Sequence, residues 1–244
     1  MVAILAPSNF EYIITIIALN RLGWSILFLS TRLSTAAYDL LLAEAQCEFV
    51  ITIDDYIETL DGIQKLRQNY PLRSVTILRP MDYVSHSTNK FHRIYDAQKE
   101  SSKIAWIIHS SGSTGLPKPI FLTNAQCLAN FRNGFPLRSF ITSPLFHSHA
   151  LMELFRSIYR KSGIFVANYN LPVTRQGLVK ALKVARPELI AVVPYVLQLL
   201  GEGKDGITEL AKAKIVLFAG ARCPDELGDK LVAGGVNLVS NYGS

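Results

Sequence analysis

Short runs of apolar residues alternate along the chain with longer segments in which apolar and polar residues recur at helical spacing. Runs bounded by turn residues indicate buried strands, and the longer segments indicate amphipathic helices. Strands are predicted at Val2–Ala6, Ile26–Leu29, Phe49–Ile53, Val75–Leu78, Ile104–Ile108, Phe140–Ile141, Ile164–Ala167, Leu189–Val193, Ile215–Phe218 and Asn237–Val239. Helices are predicted from Ser8 to near Gly23, from Ser34 or Thr35 to about Gln46, from Asp54 to about Gln68, and near residues 124–132, 150–161, 174–185, 195–200 and 224–233. This repeated strand–helix–strand order with continuous apolar strands predicts an α/β fold of mostly parallel sheets flanked by helices.

Two local signals refine this prediction. Ser8 and Glu11 stand at the spacing of a capping box, which predicts that Ser8 begins the first helix. Residues 79–102 contain few aliphatic side chains and separate two groups of predicted elements. We therefore predict a first α/β subdomain over residues 1–80, a connection over 81–102, and a second α/β subdomain over 103–244.

The composition narrows the class of protein. The 244 residues are 49% hydrophobic and 18% charged, which excludes a disordered chain. The longest apolar runs fall short of the roughly 20 residues that a membrane span needs, and the first residues lack the basic start of a signal peptide. The three cysteines, Cys47, Cys127 and Cys223, are far apart and odd in number, so they predict neither a disulfide framework nor a zinc site. A reducing, cytoplasmic location is the expectation.

Basic residues are concentrated in the middle of the chain. Residues 101–187 hold 11 Lys and Arg, whereas Glu153 is the single acidic residue in that range. Such a balance suits an anionic ligand, either a nucleotide phosphate or a nucleic acid, although a solvated basic face would have the same composition. Because no Arg/Lys-rich tract has aromatic residues interleaved, nucleic acid is the weaker partner.

One segment combines the residue types that bind phosphate. After the predicted strand Ile104–Ile108, the stretch Ser110–Lys118 reads SSGSTGLPK. Glycines let backbone amides approach an anion, hydroxyls donate hydrogen bonds or bind a metal, and Lys118 supplies a charge. The pattern is neither a Walker loop, because Pro117 and Pro119 flank Lys118, nor a dinucleotide fingerprint. The alternative is an ordinary Ser/Gly-rich turn.

The stretch Ser110–Lys118 resembles the phosphate-loop signature of the adenylate-forming superfamily, the AMP-dependent synthetases and ligases. Further landmarks follow in the order of that family: Ser143–Ala150 resembles the segment beside the carboxylate pocket, Phe218–Pro224 the turn beside the adenine, and Asn241–Ser244 the start of the Tyr-Gly-x-Thr-Glu motif. Pro119–Thr123, directly after Lys118, is most similar to the adenylation domains of fungal enzymes that resemble nonribosomal peptide synthetases.

The resemblance implies roles for single residues. The phosphates of ATP would be held by Ser110, Ser111, Gly112, Ser113, Thr114, Gly115 and Lys118. The adenosine would be bound by Gly220, Ala221, Asn241, Tyr242 and Gly243, with Tyr242 against the adenine. His147 would border the acid. Tyr242 and His147 each have a structural alternative, as an aromatic at the edge of the core and as a histidine packed on Phe146.

The resemblance also implies the reaction. It predicts an AMP-forming ligase that uses ATP and Mg²⁺ to convert an aryl, keto or fatty acid into an acyl-adenylate, which then passes to the thiol of CoA or of a carrier domain's phosphopantetheine. In the family pattern the catalytic Lys, the Glu that holds Mg²⁺ and the small C-terminal domain come after Ser244, and an earlier α/β segment precedes Val2. We therefore expect a part of an adenylation domain that turns over little by itself. The alternatives are a non-catalytic nucleotide- or acyl-binding module and a non-functional truncated fragment.

Overall fold

The structure is a computed structural model that describes residues 1–67, 71–84, 91–110 and 115–242. It divides into two compact units, Met1–Leu128 and Ala129–Ser244. Each unit is built around its own sheet of mostly or entirely parallel strands and its own cluster of buried apolar side chains.

The first unit contains the strands β1 to β6 and the helices α1 to α6. The strands are β1 (Val2–Leu5), β2 (Ile26–Phe28), β3 (Phe49–Thr52), β4 (Arg73–Thr76), β5 (Ile104–His109) and β6 (Pro119–Thr123). The helices are α1 (Phe10–Leu22), α2 (Thr35–Glu44), α3 (Ile57–Leu66), which follows a 3₁₀ turn at Asp54–Tyr56, α4 (Pro80–Tyr83), α5 (Ala97–Ser101) and α6 (Asn124–Arg132), which continues into the second unit.

The sheet of the first unit has the order β4-β3-β1-β2-β5-β6 in the described residues. Its pairs are parallel except for β5 with β6, which form an antiparallel hairpin. Because side chains alternate along a strand, Phe28 and Trp106 project to one face, where the Phe28 ring lies 6.5 Å from that of Tyr12 in α1. Leu27 and Ile107 project to the other face and pack against α2 and α3. The predicted parallel sheet covered by helices on both faces is confirmed.

The second unit repeats this architecture. Its strands are β7 (Ser139–Ile141), β8 (Ile164–Val166), β9 (Leu189–Val192), β10 (Ile215–Phe218) and β11 (Leu238–Ser240). Its helices are α7 (Ser148–Arg160), α8 (Arg175–Ala185), α9 (Pro194–Gly201), α10 (Lys204–Ala211) and α11 (Asp225–Ala233). The strand order is β11-β10-β9-β7-β8, and the pairs are parallel.

The helices begin and end where polar side chains and glycine satisfy the backbone. Ser34 caps α2 as predicted, since its Oγ accepts from Ala37 N at 3.3 Å. The cap of α1 differs from the prediction: Asn9 instead of Ser8 accepts from Tyr12 N, at 2.9 Å. Gly23 ends α1 with φ 79°, a conformation that favours glycine. Among the described residues, no helix has both the length and the apolar character required to cross a bilayer.

The division of the chain differs from the sequence prediction. The second subdomain was predicted to begin at residue 103, after a connection over 81–102, whereas the compact units meet between Leu128 and Ala129. The reason is that β5 hydrogen-bonds to β2 and so extends the first sheet. The connection also contains α4 and α5, and neither β6 nor α10 was predicted.

A buried carboxylate joins β7 to α7 in the second unit. Ser139 Oγ donates to Glu153 Oε1 at 2.6 Å, and Arg156 Nη1 lies 3.6 Å from Glu153 Oε2. Glu153 is 3% exposed. Burial raises the pKa of Glu153 above its usual range, although the hydrogen bond from Ser139 and the charge of Arg156 act in the opposite direction. The charged form of Glu153 is therefore less favourable in the folded protein than in the unfolded chain, which lowers the free energy of unfolding.

This raised pKa predicts a pH-dependent difference between wild type and Glu153→Gln. A carboxyl group whose pKa is higher in the folded state contributes most at low pH, and its contribution is lost as the pH rises through the folded pKa. Glutamine does not titrate, so Glu153→Gln should gain stability relative to wild type between pH 5 and pH 8. Urea unfolding at several pH values measures this, with the exposed Glu226→Gln as the control for loss of one carboxylate. A relative gain by wild type at high pH would contradict the prediction.

Candidate functional site

The segment predicted to bind phosphate is the turn of the β5–β6 hairpin. Ser110 N donates to the Lys118 carbonyl oxygen at 3.0 Å, and Lys118 N donates to Ser110 Oγ at 2.9 Å. Between them, Ser111, Gly112, Ser113 and Thr114 lie outside the described residues. Two hydrogen bonds therefore fix the base of the turn, and both ends of the predicted phosphate loop are held at one place.

The described part of this turn exposes a lysine side chain and a stretch of backbone to solvent. Lys118 and Gly115 are exposed, whereas Pro117 is buried and anchors the chain between them. Gly115 has φ 151°, and a Cβ built on it would meet no heavy atom of the described residues within 4 Å. The Lys118 ammonium and the backbone at Gly115 are thus accessible to an anion in solvent.

A histidine that sequence reasoning did not single out supports the start of the turn. His109, the last residue of β5, accepts a hydrogen bond at Nε2 from Ser30 N, at 3.2 Å. Its Nδ1 lies 2.9 Å from the Ser110 carbonyl oxygen. Burial lowers the pKa of His109, although the hydrogen bond to Ser110 raises it. The only sequence signal for this residue is a polar side chain at the end of an otherwise apolar strand.

The turn lies at the edge of the sheet where parallel α/β proteins bind ligands. Ser30 follows the short strand β2, and Ser110 follows β5. Because β2 and β5 run parallel, their carboxyl ends meet at one edge. Open α/β sheets bind ligands outside the carboxyl ends of their strands. The position of the turn agrees with the predicted role in phosphate binding.

The predicted adenosine-binding residues come together in the second unit. Gly220 and Ala221 follow β10, and Asn241 and Tyr242 follow the adjacent parallel strand β11. Asn241 N donates to the carbonyl oxygen of Phe218 at 2.9 Å, which joins the two segments. Gly243 lies outside the described residues. The structure thus places these four residues at the carboxyl ends of neighbouring strands, as a shared ligand requires.

Tyr242 and its neighbours present groups suited to a planar base. The Tyr242 side chain is 95% exposed, so its ring is accessible for stacking. Gly220 has φ 90° and no side chain, which leaves its backbone open to a close approach. Cys223, after this turn, is buried, and its pKa is raised by desolvation and by the charge of Asp225, so it is a thiol and not a reactive thiolate.

His147 lies at the start of α7, exposed and next to Phe146. The two rings have centroids 4.7 Å apart and are tilted by 55°. His147 N donates to the Pro144 carbonyl oxygen at 3.1 Å, which fixes the backbone. The packing on Phe146 agrees with the structural alternative, and the exposure also permits contact with a ligand. The role at the acid pocket stays a prediction, as does a single cleft that His147, Gly220, Tyr242 and the phosphate loop would share.

Two buried polar atoms near the end of β7 have no hydrogen-bond partner among the described residues. They are Thr142 Oγ1 and His149 Nε2. Burial, together with the charge of Arg156, lowers the pKa of His149 to about 4, so its imidazole is neutral at pH 7. Buried polar atoms are nearly always hydrogen-bonded in native proteins, so such atoms indicate a partner from solvent or from a ligand. Sequence reasoning gave neither residue a binding role.

No ready-made metal centre is found in the part of the chain that the structure describes. There, no three or more His, Cys, Asp or Glu side chains come together in a group that could hold an ion.

Comparison with known proteins agrees with these observations. A family described as AMP-binding enzyme matches residues 1–244. One relative is an adenylate-forming reductase from Aspergillus terreus, which is 24% identical over 100% of this chain and 24% of its own length. Another is the non-canonical non-ribosomal peptide synthetase ascB from Acremonium egyptiacum, which is 27% identical over 100% of this chain and 23% of its own length. An O-succinylbenzoate coenzyme A synthetase from Bacillus subtilis in complex with AMP is similar in structure, with a TM-score of 0.78 and 20% identity, over 100% of this chain and 60% of that one. The chain spans about a quarter of the length of these fungal relatives.

The positive φ of Gly220 predicts the effect of two matched substitutions. In Gly220→Ala the added methyl has room, since its nearest neighbour is Val193 Cγ1 at 3.6 Å, but the backbone is strained, so unfolding should become easier by about 1 kcal/mol. Gly228 lies inside α11 with open space around its Cβ position, so Gly228→Ala should stabilise by about 0.5–1 kcal/mol. Urea unfolding of both variants measures the two effects. Equal shifts of the same sign would contradict the assignment of strain to Gly220.

Proposed function

Because the chain belongs to the AMP-binding enzyme family, we propose that it binds ATP and takes part in the activation of a carboxylic acid as an acyl-adenylate. The observation that carries this proposal is the hairpin turn that ends in Lys118. The turn is closed at its base by Ser110, lies at the carboxyl edge of a parallel sheet, and exposes a lysine charge. These features together suit a polyphosphate.

Each described residue of the turn has a defined task in this proposal. Lys118 neutralises charge on the outer phosphates of ATP. Ser110 Oγ accepts from Lys118 N, so its own hydrogen is left to donate to a phosphate oxygen. Gly115 lets the backbone approach the ligand. Adenylation requires little beyond positioning and charge neutralisation, so these contacts are the kind that the chemistry needs.

The second unit supplies the proposed contacts to the adenosine. The exposed Tyr242 ring stacks on the adenine, and Asn241 and the backbone of Gly220 and Ala221 line its edge. Support comes from their placement at the carboxyl ends of the neighbouring strands β10 and β11.

For the acid, we propose the region after β7. The unpartnered atoms Thr142 Oγ1 and His149 Nε2, together with His147, provide polar groups for a carboxylic acid substrate. The substrate class stays broad: an aryl, keto or fatty acid.

In the proposed reaction, a carboxylate oxygen of the acid attacks the α-phosphorus of ATP. The new bond is a mixed anhydride, and the bond to pyrophosphate breaks, which leaves the acyl-adenylate. A thiol of CoA or of a carrier's phosphopantetheine then takes the acyl group and releases AMP. Similarity to a fungal non-ribosomal peptide synthetase favours the carrier thiol as the acceptor. Similarity to a bacterial coenzyme A synthetase favours CoA. The buried free cysteines suit a reducing cytoplasm.

Mg²⁺, when bound with ATP, supplies further neutralisation of phosphate charge. The described residues do not assemble a carboxylate group for it, so no step is assigned through the metal. A second candidate function is a module that binds nucleotide without turnover. Binding and turnover are therefore tested separately.

Substitution of Lys118 tests the binding step. Titration calorimetry with MgATP should show binding by the whole chain. Lys118→Ala should raise the Kd for ATP about 10- to 150-fold, because a hydrogen bond to a charged group contributes on the order of 1.5–3 kcal/mol. The control is Lys65→Ala, which removes the same charge from an exposed position in α3 and should leave the Kd unchanged. No binding by wild type would overturn the proposed function, and an unchanged Kd in Lys118→Ala would remove the role of the turn.

Exchange of radiolabelled pyrophosphate into ATP tests the activation step. A panel of aryl, keto and fatty acids is supplied one at a time to wild type and to Lys118→Ala. Exchange that depends on one acid and falls in Lys118→Ala supports adenylation and names the substrate class. ATP binding without exchange for any acid would instead support the non-catalytic module.

A further inference from the structure

The hydrogen bonds of His109 determine the state of its imidazole. The partner of Nε2 is the Ser30 backbone N–H, which can only donate, at 3.2 Å. The partner of Nδ1 is the Ser110 carbonyl oxygen, which can only accept, at 2.9 Å. Nδ1 therefore carries the proton and Nε2 carries the lone pair. An imidazolium would place a second N–H against the N–H of Ser30.

Ser30 is itself held by its surroundings. Its carbonyl oxygen accepts from Tyr38 Oη at 2.7 Å, and its Oγ accepts from Arg32 N at 3.3 Å. Ser30 is buried after β2, and Tyr38 is buried in α2. One side of the His109 ring therefore contacts a fixed point of the first unit.

The other side of the ring contacts the start of the phosphate loop. Ser110 has three polar groups in this hairpin: its N–H and Oγ both bind Lys118, and its carbonyl oxygen binds His109. The direction of the Ser110 peptide group is thus set jointly by Lys118 and by the imidazole.

We propose that His109 is a positioning residue for the phosphate loop. Its neutral, Nδ1-protonated imidazole connects the fixed Ser30 to the Ser110 carbonyl and so holds the loop base ready for the outer phosphates of ATP. This inference rests on the proposed function. It adds a specific prediction: loss of His109 weakens the binding of ligands with β- and γ-phosphates and leaves the binding of AMP nearly unchanged.

A neutral histidine is suited to this position for a geometric reason. Its ring holds a donor and an acceptor on opposite sides, so one rigid side chain satisfies a backbone acceptor that follows β5 and a backbone donor that follows β2. Phenylalanine fills similar space with neither group, which would leave the buried Ser30 N–H without a partner. Asparagine can replace the Nδ1–H donor but is too short to reach Ser30.

The experiment compares binding of MgATP and of AMP to the whole chain by titration calorimetry. His109→Phe should raise the Kd for ATP about tenfold, the effect of losing one or two hydrogen bonds that hold the loop, and that for AMP less than about twofold. His109→Asn should recover part of the ATP affinity. The control is Trp106→Phe, in the same strand, which shortens a buried side chain and removes its hydrogen bond to Asn20. It should lower the melting temperature without changing the ratio of the two Kd values. Equal weakening of ATP and AMP in His109→Phe, or the same ratio change in Trp106→Phe, would overturn the positioning role.

Two measurements that need no nucleotide separate this inference from the proposed function. Long-range ¹H–¹⁵N spectra of the imidazole should show the Nδ1–H tautomer of His109 at pH 7. Hydrogen exchange of a peptide over 110–118 should be faster in His109→Phe than in wild type and Trp106→Phe. If wild type binds no ATP, the proposed function fails, and the exchange result decides whether His109 holds the turn. The opposite tautomer, or unchanged exchange, overturns the inference even where ATP binds.

Discussion

Parallel hydrogen bonding between β2 and β5 is the interaction on which the base of the β5–β6 hairpin, the proposed phosphate loop, depends. The two strands are far apart in sequence, and their pairing brings Ser30 and His109 to one edge of the sheet. Without that register the imidazole would have no backbone donor to accept from, and the Ser110 carbonyl would lose its link to the first unit. The turn is thus anchored by long-range pairing even though its own residues are consecutive.

The second unit uses the same principle with different residues. Parallel pairing of β10 with β11 places Gly220 and Asn241 together, and a backbone hydrogen bond from Asn241 to Phe218 fixes them. The same strand-end geometry therefore presents different candidate ligand contacts through the few residues that follow each strand.

The sequence predicted much of this arrangement, because the signals involved are local. Continuous apolar runs predicted the strands, which the structure confirms. The density of Ser and Gly after β5 predicted a phosphate loop, and that role stays a prediction. β6 was missed because it begins at a proline and passes directly into α6, without turn residues to mark its end. α10 was missed because Gly203 and Gly206 suggest a loop; in the structure, Gly206 allows close packing on the Leu200 carbonyl, where a Cβ would collide. His109 could not be assigned a role from sequence, since its role depends on Ser30, which lies 79 positions earlier.

The helix α6 follows the β5–β6 hairpin directly and carries the chain from the first unit into the second. β6 ends at Thr123 and α6 begins at Asn124, so the strand passes directly into a helix that extends beyond the division at Leu128. Two hydrogen bonds anchor Asn124 at the start of α6: its backbone N–H donates to the Lys103 carbonyl oxygen, and its Nδ2 donates to the Glu100 carbonyl oxygen. The covalent path from the first unit to the second therefore leaves the first unit through a helix whose first residue is anchored by two hydrogen bonds to the segment before β5.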